Sequence, residues 1–446
     1  MDLKLDRRKF IGTLSVVGAG LTTGLTTISF AQTENPKPAL MGGPKAHPSP
    51  FPGWPVVEKI EEKSLLNALH SKTWGRLNGK AVANFEEAYQ KLTGAKYCLG
   101  VSSGTSALFT ALGVLDIGPG DEVIIPVYTF IATYNVVVLN YALPIFADTD
   151  IESFQIDTKH IESAISKQTK VLMPVHMGGS PADLDTLLSI AEKHQVPLLE
   201  DACQAHLAEW KGKKVGTLGL AGAFSFQSSK NLNSGEGGAL LTNEETFAEK
   251  CYNFHNQGRL GQQGNSYTAT RGSNLRLTEF QGEILLAQMS RVIDQTNRRT
   301  ENANYLTSLL KEIPGIKPAV LYEGVTKSAY HLYMFRFIEE EFGSINRSKF
   351  LQALQAEGVP CSGGYGKMNQ EKYVKDLAKN PHYLKIYGEK GMQEWLEKSD
   401  CPQNDVLCEQ AVWLGHSLLL GSKKDMDQIA EAVLKIHNHS GELSKA

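Results

Sequence analysis

Three segments of the 446-residue sequence carry residue types that chemistry could use. The first runs AGAFSFQSSKNLNSGEGGALLTN, from Ala221 to Asn243. In it Lys230 follows the small apolar run Phe224-Ser225-Phe226 and precedes Gly235, Gly237 and Gly238. A lysine in so tight and partly dry a turn loses solvation. That disfavours the ammonium, lowers the pKa and frees the amine as a nucleophile of the Schiff-base kind. The second segment is LEDACQAH, in which Asp201 closes the apolar run VPLLED. Ligands of open α/β sheets bind beyond the carboxyl ends of strands. A buried carboxylate there needs a partner, and a protonated pyridine nitrogen would serve. The third segment, SSGTSA from Ser102 to Ala107, reads as a strand-to-helix turn of small and hydroxyl residues. Backbone N–H groups at such a helix start attract phosphate. Each segment also has a plainer reading: a solvated lysine, a helix N-cap aspartate, an ordinary capped βα turn. Together, the amine, the carboxylate and the phosphate cradle match what pyridoxal phosphate (PLP) needs.

The elements that must position these groups follow from the apolar pattern. Strands are predicted at Tyr97–Val101, Glu122–Pro126, Pro144–Asp148, Val171–Val175 and Pro197–Asp201. Helices are predicted between them, at Ser106–Leu115, Ile131–Leu139, Lys159–Ile165 and Asp183–Lys193. Such alternation means a mostly parallel sheet covered on both faces. Ala221–Phe226 and Gly238–Thr242 read as two further strands in a late meander, and Thr278 to about Leu309 as a long helix. Beyond residue 300 the pattern becomes strand (His331–Ile338), helix (Arg347–Glu357), an insertion rich in Tyr and Lys, then a last helix (Lys424–Ile436). The expected organisation is a large domain over 57–299 and a smaller α+β domain over 300–446. Residues 32–56, rich in Pro and Gly, read as an extended arm rather than a packed element.

Composition narrows the function classes. A net charge of −3, 41% hydrophobic and 21% charged residues describe a globular chain with no basic run for nucleic acid. The six cysteines form no CxxC pair, so neither a disulfide scaffold nor a zinc site is expected. Residues 1–31 carry Arg7-Arg8, then Phe10-Ile11, an uncharged Gly/Thr-rich stretch and Ser29-Phe30-Ala31. This resembles a Tat signal, which predicts export of a folded protein to the periplasm, or tethering to the membrane if the signal is not cleaved.

The stretches VSSGTSALFTAL, GPGDEVIIPVYTFIAT, PIFADTD, PVHMGGSPADLD, EDACQAHLAEWKGKKVGTLG, FSFQSSKNLNSGEGGALLTN and GSNLRLTEFQGEILLAQ resemble the DegT/DnrJ/StrS family of sugar aminotransferases. The resemblance runs from about Trp54 to Ile436. FSFQSSKNLNSGEGG, NQGRLG and SAYHLYMFRF are similar to the subgroup of aminocyclitol aminotransferases and 3-amino-5-hydroxybenzoate synthase. The resemblance implies an α/β architecture of PLP fold type I, the aspartate-aminotransferase fold, with a mostly parallel sheet of seven-stranded type. It implies that Lys230 holds PLP and shuttles protons, and that Asp201 pairs with the pyridine nitrogen. Gln204 would bond the 3-hydroxyl side, Phe130 would stack on the ring, and Gly104, Thr105 and Ser225 would contact the phosphate. Asn274 would reach the phosphate of the neighbouring subunit in a homodimer with shared sites, and Arg276 and His331 would contact substrate. The implied reaction moves an amino group from glutamate or glutamine to a keto-sugar or keto-cyclitol. The chain departs from the pattern in its export signal, in the loose Gly178-Gly179 pair, and in the insertion from Gly364 to Lys398, read as a surface elaboration that could instead shape the substrate mouth. Alternatives are an aromatising synthase, a dehydratase (which Lys230 speaks against) and a catalytically silent exported binding protein.

Overall fold

Short runs that are apolar on both faces become the strands of one central sheet. The computed structural model describes residues 36–259, 271–343 and 345–445, so the signal-like residues 1–31 and part of the NQGRLG segment lie outside the described residues. Its strands are β1 (Tyr97–Val101), β2 (Glu122–Pro126), β3 (Leu143–Ala147), β4 (Thr169–Leu172), β5 (Leu199–Asp201), β6 (Ala221–Ser225) and β7 (Gly238–Thr242). They lie side by side in the order β1-β7-β6-β5-β4-β2-β3. β7 is antiparallel to both β1 and β6, while β6–β5, β4–β2 and β2–β3 are parallel. Parallel bridges Leu172↔Leu198 and Val175↔Asp201 join β4 to β5. The mostly parallel sheet expected from the sequence is therefore present, with the Lys230 meander supplying its antiparallel strand. The regular part of β4 stops at Leu172 rather than Val175, because Pro174 has no N–H to give to the ladder.

Successive side chains along a strand face opposite ways, and both faces of this sheet are buried. Ile124, Leu172, Phe224 and Leu241 enter one core cluster. Their neighbours Val123, Ile125, Val171, Ala223 and Leu240 enter the other. The covering helices include α1 (Lys59–Ser71), α2 (Ala81–Thr93), α3 (Gly104–Val114), α4 (Ile131–Val138), α5 (Leu184–His194) and α6 (Glu245–His255). α7 (Glu279–Leu310) runs for 32 residues from a Thr278/Gln281 capping box. Its first half, through Leu285 and Val292, packs on the sheet. Its second half, through Ala303, Leu306 and Leu310, packs on a separate aromatic core with Phe335, Phe337, Phe342 and Phe350. That core is built on the antiparallel sheet β8 (Ile316–Pro318), β9 (Leu332–Phe337) and β10 (Ala411–Gly415), with α8 (Arg347–Ala356) and, at the C-terminal end, helix Lys423–Asn438.

Over its described residues the segment 32–56 is irregular and mostly exposed, but it is anchored at points: Glu357 accepts the N–H groups of Ala39 and Ala46 at 2.7 and 2.8 Å and pairs with Lys435 at 2.9 Å. His47 is buried and meets Asp425 at 2.9 Å. Proline and glycine deny the arm a regular ladder but leave its N–H groups free for side-chain acceptors. One expectation is corrected: the insertion is not a surface elaboration. Its helix Pro381–Lys398 buries Tyr383, Met392 and Trp395 in the core beside β3, and the Trp395 indole donates to Pro144 O at 2.7 Å. Among the described residues no helix is long and apolar enough to cross a membrane.

Candidate active site

The carboxyl ends of β5 and β6 bring Asp201 and the Lys230 loop together. Asp201 is buried, its Oδ2 accepting from Thr133 Oγ1 at 2.9 Å and its Oδ1 from the Cys203 N–H at 3.2 Å. Both donors fix the carboxylate in one orientation. Lys230 retains partial exposure, yet burial dominates its surroundings. Burial pulls its pKa below the ordinary lysine value, against the opposing pull of Cys203 and Asp201. The amine thus has the Asp201 carboxylate among its neighbours.

The SSGTSA turn forms the start of α3. Ser103 caps it, accepting the Ser106 N–H at 3.0 Å, and Ser103 O takes the Ala107 N–H at 3.1 Å. The N–H groups of Gly104 and Thr105 have no partner among the described residues. Gly104 must be glycine, because a Cβ there would stand 2.6 Å from Cys203 Sγ and 2.8 Å from Ser225 Cβ. The same close approach places Ser225 at the cradle. Ser225 is fixed by His206, which is fully buried and held neutral, its pKa pushed down to about 4 chiefly by burial. His206 Nε2–H donates to Ser225 O at 2.8 Å, so Nδ1 accepts from Tyr89 OH at 3.0 Å. A turn with free N–H groups, no room for a side chain and a nearby hydroxyl fits a phosphate.

Phe130 sits at the N-cap of α4 and is 56% exposed, which removes core packing as its role and leaves a free apolar face. Gln204 is buried; its Oε1 accepts the Gly178 N–H at 2.8 Å and its Nε2 donates to Tyr365 OH at 3.3 Å. The Gly178-Gly179 pair is required here: φ is +66° and +87°, and a Cβ on Gly179 would meet Gln204 O at 2.7 Å. Tyr365 lies 6.5 Å from Phe130 between ring centroids and packs edge-on against Trp413 at 4.6 Å. One residue of the insertion therefore reaches the site.

The remaining candidates are placed apart or engaged elsewhere. Asn274 is exposed and bridges Asn256. Arg276 gives Nη1 to Asn256 Oδ1 at 2.9 Å. His331 is buried, its Nδ1 bonded to Asn231 Oδ1 at 3.1 Å, and it is held neutral by burial and by the charge of Lys230. Sequence reasoning missed Thr133, whose signal is its place three residues after Phe130 in the first turn of α4. It also missed the role of Glu200 beside Asp201. The Glu200 carboxylate accepts N–H groups of Gly216, Leu218 and Gly219 at 2.6, 2.8 and 2.8 Å and meets His176 Nε2 at 3.0 Å. It ties the loop before β6 to the strand that carries Asp201.

Comparison with known proteins bears on this geometry. The model of the DegT/DnrJ/EryC1/StrS aminotransferase family matches residues 56–434. The chain is 32% identical over 421 residues to the L-glutamine:2-deoxy-scyllo-inosose aminotransferase of Streptomyces paromomycinus, spanning 91% of this chain and 99% of that one. It is 32% identical over 387 residues to the 3-amino-5-hydroxybenzoate synthase of Amycolatopsis mediterranei, spanning 86% and 96%. Among solved structures it is similar to 3-amino-5-hydroxybenzoic acid synthase, with a TM-score of 0.78, 30% identity, and 89% and 99% of the two chains covered.

Proposed function

The chain belongs to the DegT/DnrJ/EryC1/StrS aminotransferase family and is a PLP-dependent aminotransferase of fold type I, and we propose that it carries an amino group from glutamine or glutamate to the ketone of a cyclitol or sugar. The observation that supports this most is the single cluster of a desolvated Lys230, a fixed Asp201 and the side-chain-free Gly104 turn. The relatives named above support glutamine as donor and a keto-cyclitol as acceptor.

The residues fit the cofactor. Bound PLP supplies an electron sink for charge that develops at the amine-bearing carbon. Lys230 Nζ would take and return the proton at that carbon, a task favoured by a pKa that burial lowers from the ordinary lysine value. Asp201, aimed by Thr133 and the Cys203 N–H, offers negative charge to a protonated ring nitrogen. Gly104 and Thr105 N–H and the Ser225 hydroxyl would hold the phosphate, and the exposed face of Phe130 would cover the ring. Gln204, braced by Gly178 and Tyr365, would bond the 3-hydroxyl side.

A homodimer with shared sites is part of the proposal. α1 exposes Leu65, Leu66 and Leu69, and Trp74 and Leu77 follow it on the surface. A contiguous apolar face of that kind calls for a cover, and exposed Asn274 would be free to reach a second copy. Export is proposed from Arg7-Arg8 and Ser29-Phe30-Ala31 alone. It favours a free cyclitol or keto-sugar over a nucleotide-linked acceptor.

The test is visible absorbance of the purified chain without residues 1–31, loaded with PLP, before and after L-glutamine. A yellow band that bleaches with glutamine and is missing from Lys230→Ala supports the reading. No band after PLP is added would overturn it.

A further inference from the structure

The residues on either side of Lys230 are held from outside their own loop. Within the loop, Lys230 N–H bonds Gln227 O at 2.8 Å, Ser228 N–H bonds Gly235 O at 2.8 Å and Ser234 N–H bonds Phe226 O at 2.9 Å. These close the turn but leave the carbonyls of Ser228 and Ser229 to find other donors. The Trp54 indole Nε1–H, from the N-terminal arm, donates to Ser228 O at 3.1 Å. His416, just after β10, meets Ser229 O with Nε2 at 2.9 Å. Because a carbonyl only accepts, His416 is the Nε2–H tautomer. Asn231 gives Nδ2 to Ala329 O at 2.8 Å and its Oδ1 meets His331 Nδ1 at 3.1 Å.

The three rings that reach this loop also pack on one another. Trp54 stands edge-on to His416 at 4.6 Å and 87°, and His416 stacks on His331 at 5.5 Å and 27°. Arg299 lies on the Trp54 ring with Cζ 5.1 Å from its centroid. It is fully buried, and none of its guanidinium nitrogens has a hydrogen-bond partner among the described residues. A buried cation without acceptors is costly, so the indole face is its main compensation. Arg299 thereby fastens the arm's Trp54 over the loop. Burial, then the charge of Arg299, keeps His416 neutral, with a pKa pushed down to about 3, so it stays a single-proton donor at working pH.

We propose that Trp54 and His416 are positioning residues for Lys230: the arm and the C-terminal sheet together clamp the loop, setting the direction and the dryness of the amine. His331 completes the clamp through Asn231. This rests on Lys230 being the reactive lysine of the proposed function. The groups that act on the Lys230 amine are Asp201 and Cys203 beside β5, with His331, His416, His206 and Arg299 in the same neighbourhood.

The test uses the mature-length chain without PLP. Lys230 is labelled with trinitrobenzenesulfonate over a pH series, and the peptide that contains it is quantified by mass spectrometry. Trp54→Phe keeps a ring over Arg299 and His416 but removes the indole donor. His416→Phe keeps the stack but removes the imidazole donor, and His416→Gln restores an amide donor. The expected result is a labelling midpoint that rises towards the ordinary lysine value in Trp54→Phe and His416→Phe and falls back in His416→Gln. In the PLP-loaded chains, kcat with glutamine should drop at least about tenfold while KM changes little, since the loop aims the amine and does not bind the donor. Wild-type midpoints in both Phe variants would overturn the proposal. Trp54 is only half-buried, so Trp54→Phe decides the matter even if His416→Phe fails to fold. Labelling needs no cofactor, so a chain that never turns yellow refutes the proposed function without touching this result.

Discussion

Gly104→Ala puts the cradle to a test whose sign is not obvious in advance. Gly104 opens α3 with ordinary helical geometry, and alanine is the better helix former by up to about 1 kcal/mol. Propensity alone therefore predicts a more stable protein. The packing predicts the opposite. The new Cβ would stand 2.6 Å from Cys203 Sγ, 2.8 Å from Ser225 Cβ and 3.3 Å from Ser225 Cα. Non-bonded carbon contacts settle at about 3.5–4.0 Å, so the helix start must retreat by roughly 1 Å. Neither neighbour yields easily. Cys203 is tied through its N–H to Asp201, and Ser225 is the last residue of β6, paired with Gly238 and held by His206. Overpacking of this kind costs about 1–3 kcal/mol, which outweighs the propensity gain. The same retreat moves the Gly104 and Thr105 N–H groups away from a phosphate seated on Ser225. Losing one charge-assisted hydrogen bond, about 1.5–3 kcal/mol, weakens PLP binding roughly ten- to a hundredfold. The assay is titration of the PLP-free chain with PLP by protein fluorescence, alongside urea unfolding. Gly391→Ala serves as the control: it sits in the helix Pro381–Lys398 with nothing nearer its Cβ than Tyr387 at 3.8 Å. That variant should gain about 0.5–1 kcal/mol and bind PLP as wild type does. If Gly104→Ala also gained stability and kept its PLP affinity, the assignment of this turn as the phosphate cradle would fail.

Glu200→Gln should destabilise the chain by about 3 kcal/mol, because an amide offers one acceptor oxygen to a site that feeds two, and its NH2 opposes bound donors. The effect should also depend on pH. Burial raises the Glu200 pKa, but His176 and the Gly219 and Gly216 N–H groups outweigh burial and hold it below the ordinary 4.5. The unfolded chain then binds that proton more tightly than the folded one. The stabilisation is complete above the ordinary value and is lost as pH falls through the lowered one, so the urea-midpoint gap between wild type and Glu200→Gln should narrow from pH 7 towards acid; a constant gap would refute the linkage. Tyr365→Phe removes the hydroxyl that accepts from Gln204 and should weaken PLP retention by a few fold with little change in urea stability. A retention unchanged in a dialysis time course would release Tyr365 from the site. Leu65→Glu on the exposed face of α1 should shift sedimentation from dimer to monomer and speed PLP loss; an unchanged sedimentation coefficient would place the dimer contact elsewhere.

The strands, the helices and the three chemical segments were legible because their signals are local. Val123 to Ile125 and Ala223 to Phe224 alternate between two buried faces, and uninterrupted apolar runs announce strands covered on both sides. Lys230, Asp201 and Gly104 each stand at the end of such a run, where an open α/β sheet gathers its ligands. The arm was harder to read, since Pro and Gly forecast irregular backbone and say nothing about whether Glu357 will collect its N–H groups.

Sequence alone thus determined the family, the sheet and the end of it where the candidate site lies, because periodicity and turn chemistry act over a few residues. Tertiary structure decided which distant groups hold those elements in place. Glu279, 198 residues away, caps α2 by taking the Ala81 N–H at 2.6 Å, in place of Lys80, whose side chain gives no cap. Trp54 and His416 reach the Lys230 loop from 174 and 187 residues away. Their partners are bare backbone carbonyls, which accept from any donor that arrives. No residue type in the loop records which donor that will be, and only the folded chain brings one within reach.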